Sequence, residues 1–402
     1  MIEISHFDNG VTLAVNTLPH SDATAVGIWL LNGARHQRSD EIGCAHFLEH
    51  ILFKGTQQLS TNALAQRFEA MGGHINAHTG RELTALHGLV PNQFAGELLG
   101  LFCEMLLTPR FNAKDVEIEK EVVLQEIAMV ADDPEELLEE DLLRHCWPNH
   151  ALGEPILGTK AAIETFSFDK LQRYLRHILC GRRILVVAMG GSTMTETRAA
   201  CTRLSQLPEG TRPSIVAPNF QPAQLLRDYG VAQTCLHWLM PAPPVADDTA
   251  PQFIIANHIL GGGVASRLFQ EVREQRGLVY GVQSNLDLYS DCGLWSIQTA
   301  CEPENGAECR KAVEATITRF LQNGPQKDEL ETTRSYVKSS LQLEQQNLEV
   351  AVERIARDII YRDRVIEINE HIRRFDAVTA AEVMAALAEQ WPRRGFAQTT
   401  PK

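Results

Sequence analysis

Basic residues are in the minority here: 37 Lys and Arg stand against 51 Asp and Glu, a net charge of −14 over 402 residues. Nucleic acid and anionic membrane are held through positive patches and released counterions, so neither is expected as a partner. No stretch reaches the roughly 18 apolar residues of a membrane span. The opening residues, Met1-Ile2-Glu3-Ile4-Ser5-His6-Phe7-Asp8, lack a basic segment followed by an apolar run, and a soluble, cytoplasmic protein is expected. The nine cysteines, an odd number, run from Cys44 to Cys309 without C-x-x-C spacing, which indicates neither a disulfide framework nor a thiolate zinc cluster. Gly261-Gly262-Gly263 has no G-K-[ST] and no G-x-G-x-x-G context. It reads as a turn between helices rather than a phosphate cradle.

What the chain does have is enough length for two domains of roughly 200 residues each. The first half reads as strands over 11–15 and 25–31, a helix over 41–53, and a second helix with Thr61 in its N-cap region and Gly72-Gly73 at its end. Strands over 74–79 and 82–90 and helices over 91–107 and 115–130 follow. The acidic run from Asp132 to Asp141 reads as a solvated helix start with Pro134 near its first position. Five prolines and glycines from Pro208 to Pro222 mark a linker over 211–229, separating a domain at 1–210 from one at 230–402. The order then partly repeats: a strand over 233–239, a helix over 253–260, another through Arg273, and strands over 279–288 and 293–301. Strands and helices alternate without a strict βαβ rhythm, which predicts an α+β fold of two similar domains, each a mostly antiparallel sheet packed by helices.

The chemistry sits in Cys44-Ala45-His46-Phe47-Leu48-Glu49-His50-Ile51, an H-x-x-E-H pattern. On a helix turning about 100° per residue, His46, Glu49 and His50 share one face. Two neutral imidazoles at i and i+4 can ligate one Zn²⁺, and the carboxylate between them is placed to accept a proton from water. The flanking Phe47, Leu48, Ile51, Leu52 and Phe53 make the helix strongly apolar, so its polar groups need partners. Cys44 reads as a small buried residue rather than a ligand.

Zinc needs at least three protein ligands. Plotted as a helix, residues 116–130 put Val116, Val123, Ile127 and Val130 on one arc, with Glu119 and Glu126 inside or beside it and Glu117 and Glu121 pointing away. Phase nominates Glu119 and Glu126 together and does not choose between them.

His46-Phe47-Leu48-Glu49-His50 with Phe53-Lys54-Gly55-Thr56, followed by Glu119-Lys120-Glu121-Val122-Val123-Leu124-Gln125-Glu126-Ile127, closely resembles the pitrilysin, insulysin and mitochondrial processing peptidase family of inverzincins. Gly72-Gly73-His74-Ile75-Asn76-Ala77-His78-Thr79 looks like that family's strand beside the metal, and Ser266-Arg267-Leu268-Phe269-Gln270 through Arg276-Gly277-Leu278-Val279-Tyr280 like its second signature. The resemblance spans nearly the whole chain. It implies a processing-peptidase-like metallohydrolase fold and a zinc metalloendopeptidase with one Zn²⁺ per chain. It puts His46, His50 and Glu126 on the metal, Glu119 in support and Glu49 as general base. Arg273 and Tyr280 would act on substrate, and Asn76 and Ala77 would bind an unfolded peptide added as a strand. It further implies a homodimer enclosing a chamber, with a heterodimer of related chains as the alternative. Family-like chains also serve as noncatalytic subunits or as dedicated maturation proteases. His78 stands where an aromatic residue is commoner, and Leu86-His87-Gly88 replaces an aromatic pair; both bear on substrate preference.

Overall fold

The computed structural model of the chain describes residues 2–110 and 112–400. It divides into two compact units, one comprising Met1–Ala128, Glu154–Ile215 and Leu343–Ile366, the other Met129–Gly153, Val216–Gln342 and Glu367–Lys402.

The first unit is built on six strands: β1 Glu3–His6, β2 Thr12–Thr17, β3 Ala23–Leu30, β4 His74–Thr79, β5 Thr84–Pro91 and β6 Ile184–Gly190. They lie in the order β1-β2-β6-β3-β5-β4. Among the described residues only β2 and β6 run parallel, and every other pair in this sheet is antiparallel. Successive side chains of β3 go to opposite faces, as the two-residue strand period requires. Val26, Ile28 and Leu30 join one core, Ala25, Trp29 and Leu31 another. Both faces are therefore covered, which explains why β3 and β6 read as near-continuous apolar runs. Against the first face pack α1 Cys44–Leu52, α2 Thr61–Met71, α3 Ala95–Leu107 and α4 Ala113–Asp132, through residues such as Phe47, Leu64, Phe102 and Val123. Burial of a side chain of this size stabilises by roughly 1.5–3 kcal/mol. Against the second face lies the Leu348–Arg362 helix, whose Ala351, Val352, Ile355, Ala356 and Ile359 meet Trp29 and Leu185.

The second unit has five strands: β7 Gln224–Arg227, β8 Thr234–Ala242, β9 Val279–Leu288, β10 Gly293–Cys301 and β11 Gly395–Thr399. Their order is β7-β11-β8-β10-β9, with β7 and β11 parallel and the rest antiparallel. Along β8, Leu236, Trp238 and Met240 pack with the Ala250–Gly261 and Gly306–Asn323 helices. Cys235 and Leu239 face α5, Pro134–Cys146, through Leu138, Leu142 and Cys146. Asp133 caps α5 by accepting from the amides of Glu135 and Glu136, ahead of Pro134 in the first turn.

Three features differ from the sequence expectation. The units interleave instead of meeting at a single linker, because α5 and the Leu348–Arg362 helix follow their apolar faces onto sheets built mainly from the other half of the chain. Part of the linker at 211–229 is structured: Phe220 is buried and Gln224–Arg227 pairs with β11. The second helix is capped by Ser60 rather than Thr61, with Ser60 Oγ accepting from the Ala63 amide at 3.2 Å, and it ends on Gly72 at φ 65°, where glycine is favoured. Among the described residues no helix is long and apolar enough to cross a membrane.

Candidate active site

Helix α1 begins at a glycine for a steric reason. Gly43 sits at φ 88°, and a Cβ there would stand 2.9 Å from the Leu157 carbonyl oxygen and 3.0 Å from the Gly158 Cα. From that start, Cys44, Ala45, Phe47, Leu48, Ile51 and Leu52 are buried, and Phe47 meets Phe166 edge-on at 5.2 Å. The helical period then leaves His46, Glu49 and His50 half-buried on the remaining face. Burial also explains Cys44, whose thiol is pushed up to about 12, a range in which it is neither ligand nor nucleophile at neutral pH.

The two imidazole rings lie 4.6 Å apart, at 62° to each other. Helix α4 brings Glu126 to them, its Oε2 standing 3.7 Å from His46 Nε2 and 3.6 Å from His50 Nε2. The Glu126 Oε2 is buried and accepts no hydrogen bond among the described residues. An orphaned carboxylate oxygen facing two imidazole nitrogens is costly without a cation. With zinc–ligand bonds of about 2.0–2.2 Å, tetrahedral ligand atoms stand roughly 3.3–3.6 Å from one another. The donor types and these separations both fit Zn²⁺. Among the described residues, His46, His50 and Glu126 form the only cluster of this kind.

Glu119, two turns earlier on α4, takes the other side of His50: Nδ1 donates to Glu119 Oε2 at 3.1 Å, which fixes the tautomer and leaves Nε2 free. Lys54 Nζ closes the array on Glu119 Oε1. Burial acts to raise the Glu119 carboxyl, but the bonds from His50 and Lys54 outweigh it and hold it below the usual range. His50 is raised, first by its bond to Glu119 against the opposing effect of burial. His46 is lowered to about 4, by burial and then by His50, which keeps its imidazole neutral at ordinary pH, the form a metal ligand needs.

Thr79 Oγ1, at the end of β4, donates to Glu49 Oε2 at 2.5 Å. Strand β4 is the edge of its sheet and, among the described residues, pairs only with β5. Asn76 is exposed on it, with its Oδ1 accepting from the Ala77 amide at 2.9 Å, and Ala77 is buried toward the core. Neither Thr79 nor Lys54 was assigned a role from sequence. The signals were present, since Lys54 follows His50 by four residues, one helical turn on, and Thr79 closes the strand segment beside the metal.

Arg273 and Tyr280 belong to the second unit. Arg273 lies in a π-helical segment, Phe269–Gln275, with its guanidinium 4.5 Å from the Phe269 ring centroid and 5.6 Å from that of Tyr280. It also stands 3.5 Å from Glu274. Tyr280 is the second residue of the edge strand β9 and is 93% exposed, so it fills no core.

The insulinase (peptidase family M16) model matches residues 12–160, and the peptidase M16 inactive domain model matches 165–337. A zinc protease of Mycobacterium tuberculosis is 32% identical over 96% of this chain and 90% of its own length. The chain belongs to peptidase family M16. A zinc protease of Bacillus subtilis is 28% identical over 95% of this chain and 94% of that protein. The solved peptidase M16 inactive domain from Pseudomonas fluorescens superimposes with a TM-score of 0.93 at 20% identity, covering 100% of this chain and 98% of that one. A protease from Helicobacter pylori gives 0.92 at 16%, covering 100% and 99%. These structures show the M16 fold. The H-x-x-E-H sequence lies within the stretch matched by the insulinase model, and the stretch matched as the inactive domain has none.

Proposed function

We propose that the protein is a zinc-dependent endopeptidase acting on unfolded peptides, with His46, His50 and Glu126 holding one Zn²⁺. The observation that carries this reading is the convergence of two imidazole Nε2 atoms on the orphaned Oε2 of Glu126. Zinc at such a site supplies Lewis acidity, polarising a peptide carbonyl and making water more acidic. Glu49 takes the proton from the attacking water and passes it to the leaving amine. Thr79 holds the Glu49 carboxylate by one oxygen, so the other is free for that proton. The unpaired backbone edge of β4 at Asn76 and Ala77 receives an extended peptide as a further strand, a mode that accepts many sequences and rejects folded chains. Tyr280 donates a hydrogen bond to the developing oxyanion and Arg273 orients the substrate backbone; the exposure of Tyr280 and its stacking with Arg273 support these roles. The working form is a homodimer in which Arg273 and Tyr280 serve the metal of the partner chain. Among the described residues the nine cysteines form no disulfide, which suits a reducing, cytoplasmic setting.

The test is mass spectrometry of a mixture of unstructured peptides incubated with wild type, with Glu49→Gln and with a chelated sample. Cleavage by wild type, lowered about 10²–10⁴-fold in the variant and lost on chelation, is the expected result. Cleavage that persists after chelation would refute the metal mechanism.

A further inference from the structure

Helix α3 lies largely in the core of the first unit: Leu101, Phe102, Cys103, Met105 and Leu106 are buried, and so is Glu104 among them. A carboxylate in such company is costly, and an apolar residue of similar size would often serve stability as well or better. Stability alone therefore does not account for Glu104. What it meets is the hydroxyl of Thr56, which is fully buried and donates to Glu104 Oε1. A hydroxyl offers one proton and two lone pairs, and the Thr56 Oγ1 also accepts from the amides of Gln58 at 3.2 Å and Leu59 at 3.0 Å. The carboxylate thus takes the proton, and the lone pairs gather the turn at 56–59.

That turn continues the chain beyond α1, the helix that carries His46 and His50. Lys54 stands two residues before Thr56, its carbonyl accepting from Thr61 Oγ1 at 2.7 Å and its ammonium lying on Glu119 Oε1. The segment is also stitched to the chain that leaves α3: the Gln57 amide donates to the Thr108 carbonyl and the Arg110 amide to that of Gly55, each at 2.9 Å. A lysine ammonium rides on a long flexible stem, so it returns to one carboxylate oxygen only if its backbone is fixed. We infer that Glu104 is a positioning residue of the zinc site. Through Thr56 it fixes the segment that carries Lys54, and Lys54 holds one oxygen of Glu119. The other oxygen of Glu119 then keeps His50 turned with Nε2 toward Glu126. This inference rests on the reading of His46, His50 and Glu126 as zinc ligands.

The test measures zinc affinity by chelator competition, beside thermal melts of the metal-free proteins. The variants are Glu104→Leu, Glu104→Gln, Thr56→Val, Glu119→Ala and the double variant Glu104→Leu/Glu119→Ala. Glu104→Leu should bind zinc about tenfold more weakly than wild type, the lower end of the range for groups that orient a ligating histidine. Glu104→Gln, whose amide oxygen can still accept from Thr56, should bind as wild type does. Thr56→Val removes the donor and should reproduce the loss; it replaces Glu104→Leu, alone and combined with Glu119→Ala, if that variant does not fold. The double variant should bind no more weakly than Glu119→Ala alone, because losses along one path do not add, whereas those at independent sites do. Losses that add in the double variant overturn the inference. So does a Glu104→Leu protein that melts earlier than wild type yet binds zinc equally well, since the carboxylate is then structural only. Wild type without affinity for zinc would reject the metal reading and the inference together; zinc held by wild type and held equally by Glu104→Leu and Thr56→Val rejects the inference alone.

Discussion

The hydroxyl of Thr79 donates to the carboxylate of Glu49 at 2.5 Å, tying the last residue of the edge strand to the candidate general base. One contact thus couples the place where a peptide would add to the group that would take the proton of the attacking water. Thr79→Val keeps the shape and removes the donor. The expected outcome is a roughly tenfold lower kcat, within the range for a misplaced acid–base group, with zinc content and KM unchanged. Steady-state kinetics beside metal analysis checks it; a loss of zinc would instead mark Thr79 as part of the metal scaffold.

Glu119 accepts from His50 Nδ1, the ring nitrogen on the other side from Glu126. Carboxylates that orient ligating histidines are typically worth 10–100-fold in metal affinity. Glu119→Ala leaves His50 Nδ1 and Lys54 without their buried acceptor, so zinc affinity should fall by about that range. Glu119→Gln retains one acceptor and should lose less. Competition against a graded series of chelators measures both, and equal affinity in all three proteins would remove Glu119 from the site.

His237, in the second unit, offers a pH test. It is buried in β8, its Nε2 has no hydrogen-bond partner among the described residues, and burial pushes it down to about 3. In the unfolded chain an ordinary histidine binds its proton near pH 6.5. Between about pH 6.5 and 3 the unfolded state therefore binds more protons than the folded one. Stability from neutral His237 is complete above 6.5 and is lost as pH falls, by up to about 1.4 kcal/mol per pH unit. His237→Leu should flatten this part of the profile. Thermal melts of both proteins from pH 7 to 4 should diverge steadily, with wild type losing more, and parallel curves would exclude His237 as the acid-sensitive group.

How far the sequence carries can be judged from Glu119 and Glu126. Seven residues return a helix to nearly the same phase, so both were visible as acids on the face of α4 that turns inward. The choice between them depends on a rise of roughly 10 Å along the axis, and thus on where α4 crosses α1, which no periodicity contains. The structure places Glu126 at the two Nε2 atoms and Glu119 at Nδ1 of His50. The Leu348–Arg362 helix shows the same limit. An apolar stripe says that a helix must be covered, but the partner sheet, here the one carrying Trp29, is set by tertiary packing. Gln224–Arg227 was hidden for another reason: four residues after a run of prolines carry too short an alternation to signal a strand until β11 supplies its partner.

Tyr280 carries the last prediction. Since 93% of its surface is exposed, removal of its hydroxyl costs no core packing, and Tyr280→Phe should melt with wild type and bind zinc normally. Any loss of activity then reports on catalysis. One lost oxyanion donor is worth about 10²–10³ in kcat, and a drop of that size is expected with KM nearly unchanged. If the working unit is a dimer with shared sites, a subunit carrying Glu49→Gln and one carrying Tyr280→Phe have complementary defects. Mixing the two inactive proteins under conditions of subunit exchange should recover up to about half of the wild-type rate per hybrid dimer, because one of its two sites is intact. Exchange confirmed by native mass spectrometry without any recovery would place Glu49 and Tyr280 in the same chain's site and reject the shared arrangement.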